Sequence, residues 1–446
     1  MKPKHRYALI STGIIAFIIL APLIVLFTTG TRYDFKTHRF LKTGVLVAQT
    51  SPKGAQIYLN GKYYGTTPKQ IRFLSPGSYA IKISKPGYFD WQKRLEVNTQ
   101  YVTYANLNLK SLILFFSSPQ KTPISDDVLN FFAGNNRLVY LTSNEINIAG
   151  INSPNSVTQV PLPANFTSSM RPKIIPSPDE NYFVISDGSE YLLLDAQKNT
   201  AVNISSLLSG TLAEKGALQF SSSDALYALA RLPQGQGQQS PSLFQINWQA
   251  NSKTKILENA SAFVVSGNAI YYISANPEGG TSLLRAQMPS MASAALASNL
   301  PAWDQAQIFI SPQNQIFILG DSSLYAVSQN LRHISDFVGK VQILNASSVL
   351  YATGNEIDLY NPATQAVSFV TRSTEAISNP TYFPDYGWVF FMNQGKIQAI
   401  EIDNRDTQNN YIFTQAKGLD SKYYVTSDAS RIFYQSGGHL AQLIIR

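Results

Sequence analysis

IIPSPDENYFVISDGSEYLLLD, Ile174 to Asp195, reads as strand, tight turn, strand, short gap, strand. Ser177-Pro178-Asp179 suits a type I turn, with Ser accepting locally and Pro presetting the first central φ. The strands beside it are near-continuous apolar runs, as expected where both faces are buried. The same unit recurs down the chain. Its turns fall at Asn135, Asp179, Asp224, Asn268, Gln313, Ser347, Asp385 and Asp428, with spacings of 44, 45, 44, 45, 34, 38 and 43 residues. Ser311-Pro312-Gln313 and Phe383-Pro384-Asp385 repeat the turn chemistry. The second strands are RLVYL, YFVIS, LYALA, IYYIS, IFILG, VLYAT, WVFFM and RIFYQ. A strand-only repeat of this length predicts a β-propeller. Eight units predict eight blades, or seven if the irregular unit around Ser347 is absorbed.

The last unit stops at its third strand, so its blade needs an outermost strand from elsewhere. Leu112 to Phe116 (LILFF), just before the first unit, is the expected donor. Pro233 to Pro241 (PQGQGQQSP) reads as a low-complexity loop. Ala286 to Asp304 reads as a longer connection.

Ahead of these units lies a different kind of segment. Ala8 to Phe27 is twenty residues without a charge, thirteen of them Leu, Ile, Val or Phe. A helix of that length spans about 30 Å, the depth of a hydrocarbon core. Ala8, Ile14, Phe17, Leu20, Pro22, Leu26 and Phe27 mark the expected anchor. The run exceeds a signal-peptide core and no A-x-A step follows, so an uncleaved single-pass anchor is predicted. The expected organisation is a cytoplasmic tail 1–7, an anchor 8–29, a linker 30–43, a small β domain 44–110 and the propeller 111–446. Both β domains are expected outside the cytoplasm.

Composition narrows the chemistry. Charged residues are 14% of the chain, and cysteine is absent. Disulfides, thiolate metal sites and a cysteine nucleophile are therefore excluded. Residues 1–110 hold 16 Lys+Arg against 3 Asp+Glu, whereas residues 111–446 hold 19 against 24. A nucleic-acid binder would carry its positive field on the large domain, so no nucleic-acid partner is expected. Anionic headgroups or phosphate-rich envelope polymers suit the basic part better.

Residues 44–110 alternate with period two between turns, as in Ala55, Ile57 and Leu59. Asn60-Gly61 is a type I′ hairpin signal, and Pro76-Gly77 and Pro86-Gly87 fit type II turns. SPKGAQIYLNGKYYGTTP followed by LSPGSYAIKISKPGYFDWQKRLEV resembles the PEGA domain, a small β-sandwich module. The matching positions are Ser51, Pro52, Gly54, Ala55, Asn60, Gly61, Thr67, Pro68, Leu74, Pro76, Gly77, Tyr79, Gly87 and Tyr88. Lys53 stands where that family has its namesake Glu. The resemblance implies an envelope or surface-layer setting and a binding or spacer role. Tyr79, Tyr88 and Trp91 are expected to pack in its core. The Ser-Pro-Asp turns of Phe131 to Arg446 are similar to TolB-like propeller repeats, which implies architecture and protein contacts.

No catalytic, cofactor or metal residues are expected. His5, His38, His333 and His439 are not spaced as metal ligands. Asp403 to Asp406 (DNRD) reads as a turn. Asp179, Asp224, Asp385 and Asp428 read as turn formers. The expected function is a non-enzymatic, membrane-anchored envelope protein that binds wall polymer or a protein partner. A propeller enzyme with channel carboxylates acting on glycan or peptide, and the outer domain of a sensor, are the alternatives.

Overall fold

The computed structural model describes residues 3–446 apart from 29, 35–37, 100, 108–111, 164–165, 167–171, 212–215, 223–224, 232–239, 276–279, 329, 346–347 and 419–420. Asp224, Ser347 and most of the Pro233–Pro241 loop thus lie outside the described residues. The chain is nearly all β. Its single long helix, Pro3–Thr28, contains Pro22 and is followed by the hairpin Thr31–Asp34 and Arg39–Lys42. Ile14, Phe17 and Leu20 are exposed on that helix. Among the described residues, no helix is long and apolar enough to cross a membrane.

The small domain has a three-stranded sheet, Val102–Tyr104 beside Gly44–Ala48 beside Lys69–Leu74. It also has a four-stranded sheet in the order Lys62–Thr66, Gln56–Leu59, Gly77–Ser84, Trp91–Val97. Ile57, Leu59, Leu46, Ile81 and Trp91 fill the space between them. Asn60 and Gly61 both have positive φ, 49° and 80°, which is the backbone a type I′ turn requires.

Beyond it, eight four-stranded antiparallel sheets follow one another. The first seven span 130–161, 173–203, 218–257, 260–300, 306–335, 340–372 and 377–415. The eighth joins Gln120–Ser125 to the C-terminal strands Lys422–Val425, Arg431–Ser436 and His439–Ile444. All eight apolar runs quoted above lie in the second strands. Their composition follows from the stacking. In YFVIS, Phe183 and Ile185 pack against the first sheet, while Val184 packs against the third. A strand with cores on both sides has no polar face. Phe317 with Val349, and Trp388 with Ile432, join later sheets in the same way. Phe131 and Leu138 of the first sheet meet Phe433 and Leu440 of the eighth, so the series returns on itself. This is the packing of a propeller.

Two sequence expectations are corrected. The strand that completes the eighth sheet is Gln120–Ser125, paired with His439–Ile444. Leu112 to Phe116 instead places Ile113–Leu114 parallel to Thr50–Ser51 of the small domain. Its alternate residues serve two cores: Ile113 and Phe115 the small domain, Leu114 and Phe116 the seventh and eighth sheets. The Ala286–Asp304 segment is no mere connection, because Ala292–Leu300 is the outermost strand of the fourth sheet. The unit around Ser347 has a sheet of its own, in which Lys340–Asn345 pairs with Ser348–Ala352.

Candidate functional site at the seam between the β domains

The turn residues come first, because they bear on catalysis. Asp179 accepts from Ser177 Oγ at 2.6 Å and from Asn181 N at 3.2 Å, closing its own turn. Asp428 likewise accepts from Thr426 Oγ1 at 2.7 Å and Ser430 N at 3.1 Å. Ser311 Oγ accepts the N–H groups of Gln313 and Gln315 beside Pro312. Asp385 sits in a turn closed by Tyr386 and Gly387 N–H on the Phe383 carbonyl. The Asn268 carbonyl accepts from Met288 N. Glu180, next to Asp179, reaches the neighbouring sheet and accepts three backbone N–H groups, those of Asn135, Asn136 and Arg137, at 2.6 to 2.9 Å. A Cβ on Gly134 would sit 2.2 Å from that carboxylate, so a larger residue there would push Glu180 off these donors.

The first strands of several neighbouring sheets lie against one another, and none of the eight carries Asp or Glu. Their polar side chains stitch neighbouring sheets together. Gln342 Oε1 accepts from Tyr382 N at 2.9 Å, Tyr423 OH donates to the Asn379 carbonyl at 2.6 Å, and Asn130 Nδ2 donates to the Pro172 carbonyl at 2.6 Å. Lys422 donates to the Phe131 carbonyl and lies over its ring; burial pulls its ammonium down to about 8. Among the described residues, no three His, Asp or Glu side chains converge as metal ligands.

One carboxyl outside these strands is strongly perturbed. Burial first, and then the Glu356 carboxylate, push Asp358 up to about 6. It lies opposite Tyr351 on the third strand of the sixth sheet. The folded chain therefore holds this proton more tightly than the unfolded chain. Stability from this group is lost as pH rises from about 4 to about 6. Asp358→Asn is expected to stabilise the protein by about 1–2 kcal/mol at pH 8, after solvent screening, and by almost nothing at pH 4. Denaturant unfolding at both values checks this; equal differences would show that the carboxyl is not the cause.

The densest polar constellation lies between the two β domains. Strand Trp91–Val97 alternates buried and exposed positions, and Lys93 occupies a buried one. Its ammonium lies 3.3 Å from Glu401 Oε2, both side chains fully enclosed, and donates to the Asp403 carbonyl at 2.5 Å. Glu401 ends a strand of the seventh sheet. Its carboxylate also accepts from Trp91 Nε1 at 3.1 Å, Asn106 Nδ2 at 3.1 Å and Asn409 Nδ2 at 2.8 Å. Burial raises this carboxyl above the ordinary glutamate range, against the pull of Lys93 and these donors.

The loop 402–409 carries the rest of the contact. Arg405 forks onto Asp403 and donates to the carbonyls of Tyr104 and Ala105, both at 3.0 Å. Burial alone would raise Asp403, but Arg405 and Lys93 outweigh it and hold the carboxyl below its usual range. Asp406 Oδ2 accepts from Arg94 N at 2.6 Å, and Asn409 exchanges two bonds with the Gln92 backbone. Below them, Phe89 stacks on Tyr411 at 5.0 Å, and Tyr411 OH donates to the Asp90 carbonyl. Phe116 sits among Trp388, Phe390, Tyr411 and Phe413. Sequence reasoning treated DNRD as a turn and Trp91 as core alone; the structure makes both parts of one junction. A cleft of about 820 Å³ opens beside it, lined by Tyr58, Lys82, Asp90, Arg94, Thr407 and Asn409 among others.

Several of the remaining motif residues make contacts within the small domain. Thr67 Oγ1 accepts from Ala55 N at 3.1 Å and meets Thr50 Oγ1. Tyr79 OH donates to the Ser75 carbonyl. Tyr88 and Tyr79 pack against the small core without entering it. Ser51 Oγ accepts from Arg446 at 2.7 Å, tying the chain's last residue to the small domain.

No curated protein matches the chain. Solved structures of similar shape include a eukaryotic initiation factor, 14% identical over 72% of this chain and 85% of that one, with a TM-score of 0.46. An oligogalacturonate lyase is 11% identical, covering 74% of this chain and 98% of that one, with a TM-score of 0.42. A prolyl endopeptidase is 11% identical, covering 70% and 55%, also with a TM-score of 0.42. Likeness at that level carries no functional weight. The sequence of residues 43–112 matches the model of the PEGA domain, and the small sandwich joined to the ring is a PEGA domain.

Proposed function

We propose that this chain is a membrane-tethered, non-enzymatic scaffold of the cell envelope. The helix Pro3–Thr28 holds it to the bilayer, the PEGA domain sets its standoff, and an eight-bladed ring resembling TolB-like propellers presents a binding surface. One observation carries the tether: from Ile10 to Val25 the large apolar side chains of the helix are all more than half exposed. Packing inside this chain does not bury them, and apolar contact with a bilayer would. Wall polymer or an envelope protein is the partner, and the cleft at the seam is the candidate place for it.

Fractionation with in-cell crosslinking tests this. The full chain is expected in the membrane fraction, and a variant lacking residues 3–28 in the soluble fraction. Crosslinking is expected to capture envelope components. Equal partitioning of the two forms would sink the tether. Turnover of envelope glycan or peptide by the purified protein would sink the non-enzymatic reading.

A further inference from the structure

The helix Pro3–Thr28 ends against a cleft of about 690 Å³, whose walls include Thr28, Gly30, Thr43, Arg72, Phe73 and Tyr101. Large apolar and aromatic side chains stand exposed around this point. Tyr101 is 72% exposed, Phe40 60% and Leu107 59%, with Tyr33, Phe73 and Tyr104 also on the surface. They come from three separate parts of the chain: the hairpin after the helix, strand Lys69–Leu74, and the segment from Tyr101 to Leu107. So many rings gathered in one place on a small domain mark a contact surface rather than scattered exposure.

Basic side chains outnumber acidic ones around the rings, where Glu96 and Asp406 line a cleft shared with Tyr101, Tyr104 and Leu107. Arg32 lies 4.0 Å over the Phe73 ring, and Arg39, Lys42, Arg72 and Arg94 are exposed nearby. Residues 30–110 hold 13 Lys+Arg against 3 Asp+Glu. The ring that follows is acidic on balance, so an anionic plane would attract this end and repel the other.

We infer that this aromatic and basic collar is a second membrane contact, lying on the headgroups of an anionic bilayer where the helix emerges. The inference rests on the tether reading above. Tyrosine suits such a surface because its ring is apolar and its hydroxyl is wet. A helix alone would let the domain swing. Helix plus collar fix its tilt, and the Lys93–Glu401 seam passes that orientation to the ring.

The test uses the full chain in nanodiscs, neutral or anionic, with and without brominated lipid. Two single variants report contact by tryptophan quenching relative to the parent: Phe17→Trp in the helix and Tyr101→Trp in the collar. Both are expected to be quenched in anionic discs, and Tyr101→Trp much less in neutral ones. Adding Lys42→Gln and Arg72→Gln is expected to weaken the collar contact about fivefold per charge removed. Quenching of Phe17→Trp without Tyr101→Trp in anionic discs would overturn the collar and leave the tether intact. Equal quenching of Tyr101→Trp in neutral and anionic discs would also overturn it. Loss of quenching at both sites would overturn the tether itself, and the collar with it.

Discussion

Lys93→Met is expected to lower folding stability by about 3–5 kcal/mol, the largest point-substitution effect in this chain. Lys93 and Glu401 have no exposed side-chain surface, and 3.3 Å separates their charged atoms. Taking one charge away does not return the other to water. Glu401 would keep Trp91, Asn106 and Asn409 as donors, but it would lose the counter-charge of Lys93 in a site that already raises its carboxyl. The Asp403 carbonyl would lose its donor as well. Lys93→Met combined with Glu401→Gln is expected to recover much of the loss, because no buried charge is then left alone. Denaturant unfolding of the four proteins in the cycle measures both terms. A loss below about 1 kcal/mol for Lys93→Met would mean that water reaches the pair and that the domains are not clamped. Small-angle scattering gives an independent readout: a destabilised seam should broaden the distribution of distances between sandwich and ring.

The ring was legible from sequence because its signal is local and repeated. Each second strand must be apolar on both faces, and each tight turn needs the same small set of residues. Asn60-Gly61 was legible for the same reason, since a type I′ turn admits few sequences. Apolarity is a poor mark of the closing strand. Gln120–Ser125 is an outermost strand whose side chains face solvent in part, so it needs only backbone pairing. Leu112 to Phe116 is far more apolar because it lies between two cores. The seam left one trace that could have been followed: in WQKRLEV, Lys93 shares a face with Trp91, Leu95 and Val97. A lysine on the apolar face of a strand demands a buried partner. Sequence spacing could not show that the partner is Glu401, some three hundred residues away, because only the ring's closure brings it near.

Removing residues 439–446 is expected to abolish the native ring rather than weaken it. Strand His439–Ile444 lies between Arg431–Ser436 and Gln120–Ser125, and pairs with both. Without it, two ladders disappear and two unpaired edges face solvent. Leu440 leaves the core between the first and eighth sheets, while Ala441, Leu443 and Ile445 leave the core between the seventh and eighth. Two of the ring's junctions fail together, at a cost of several kcal/mol for each set of large side chains, against a total stability of about 5–15 kcal/mol. The bonds from Ile445 to Ser117 and from Arg446 to Ser51 go too, so the PEGA domain loses its hold from the chain's end. The truncated protein is expected to aggregate, or to lose its cooperative thermal transition, while the full chain unfolds in a single step. Deleting instead the solvent-facing strand Gln120–Ser125 removes one ladder and almost no core, so it should leave a monomeric but less stable ring. If both deletions proved equally mild, the C-terminal strand would not be holding the circle closed. If deleting Gln120–Ser125 changed nothing, the edge it covers would be paired by another segment.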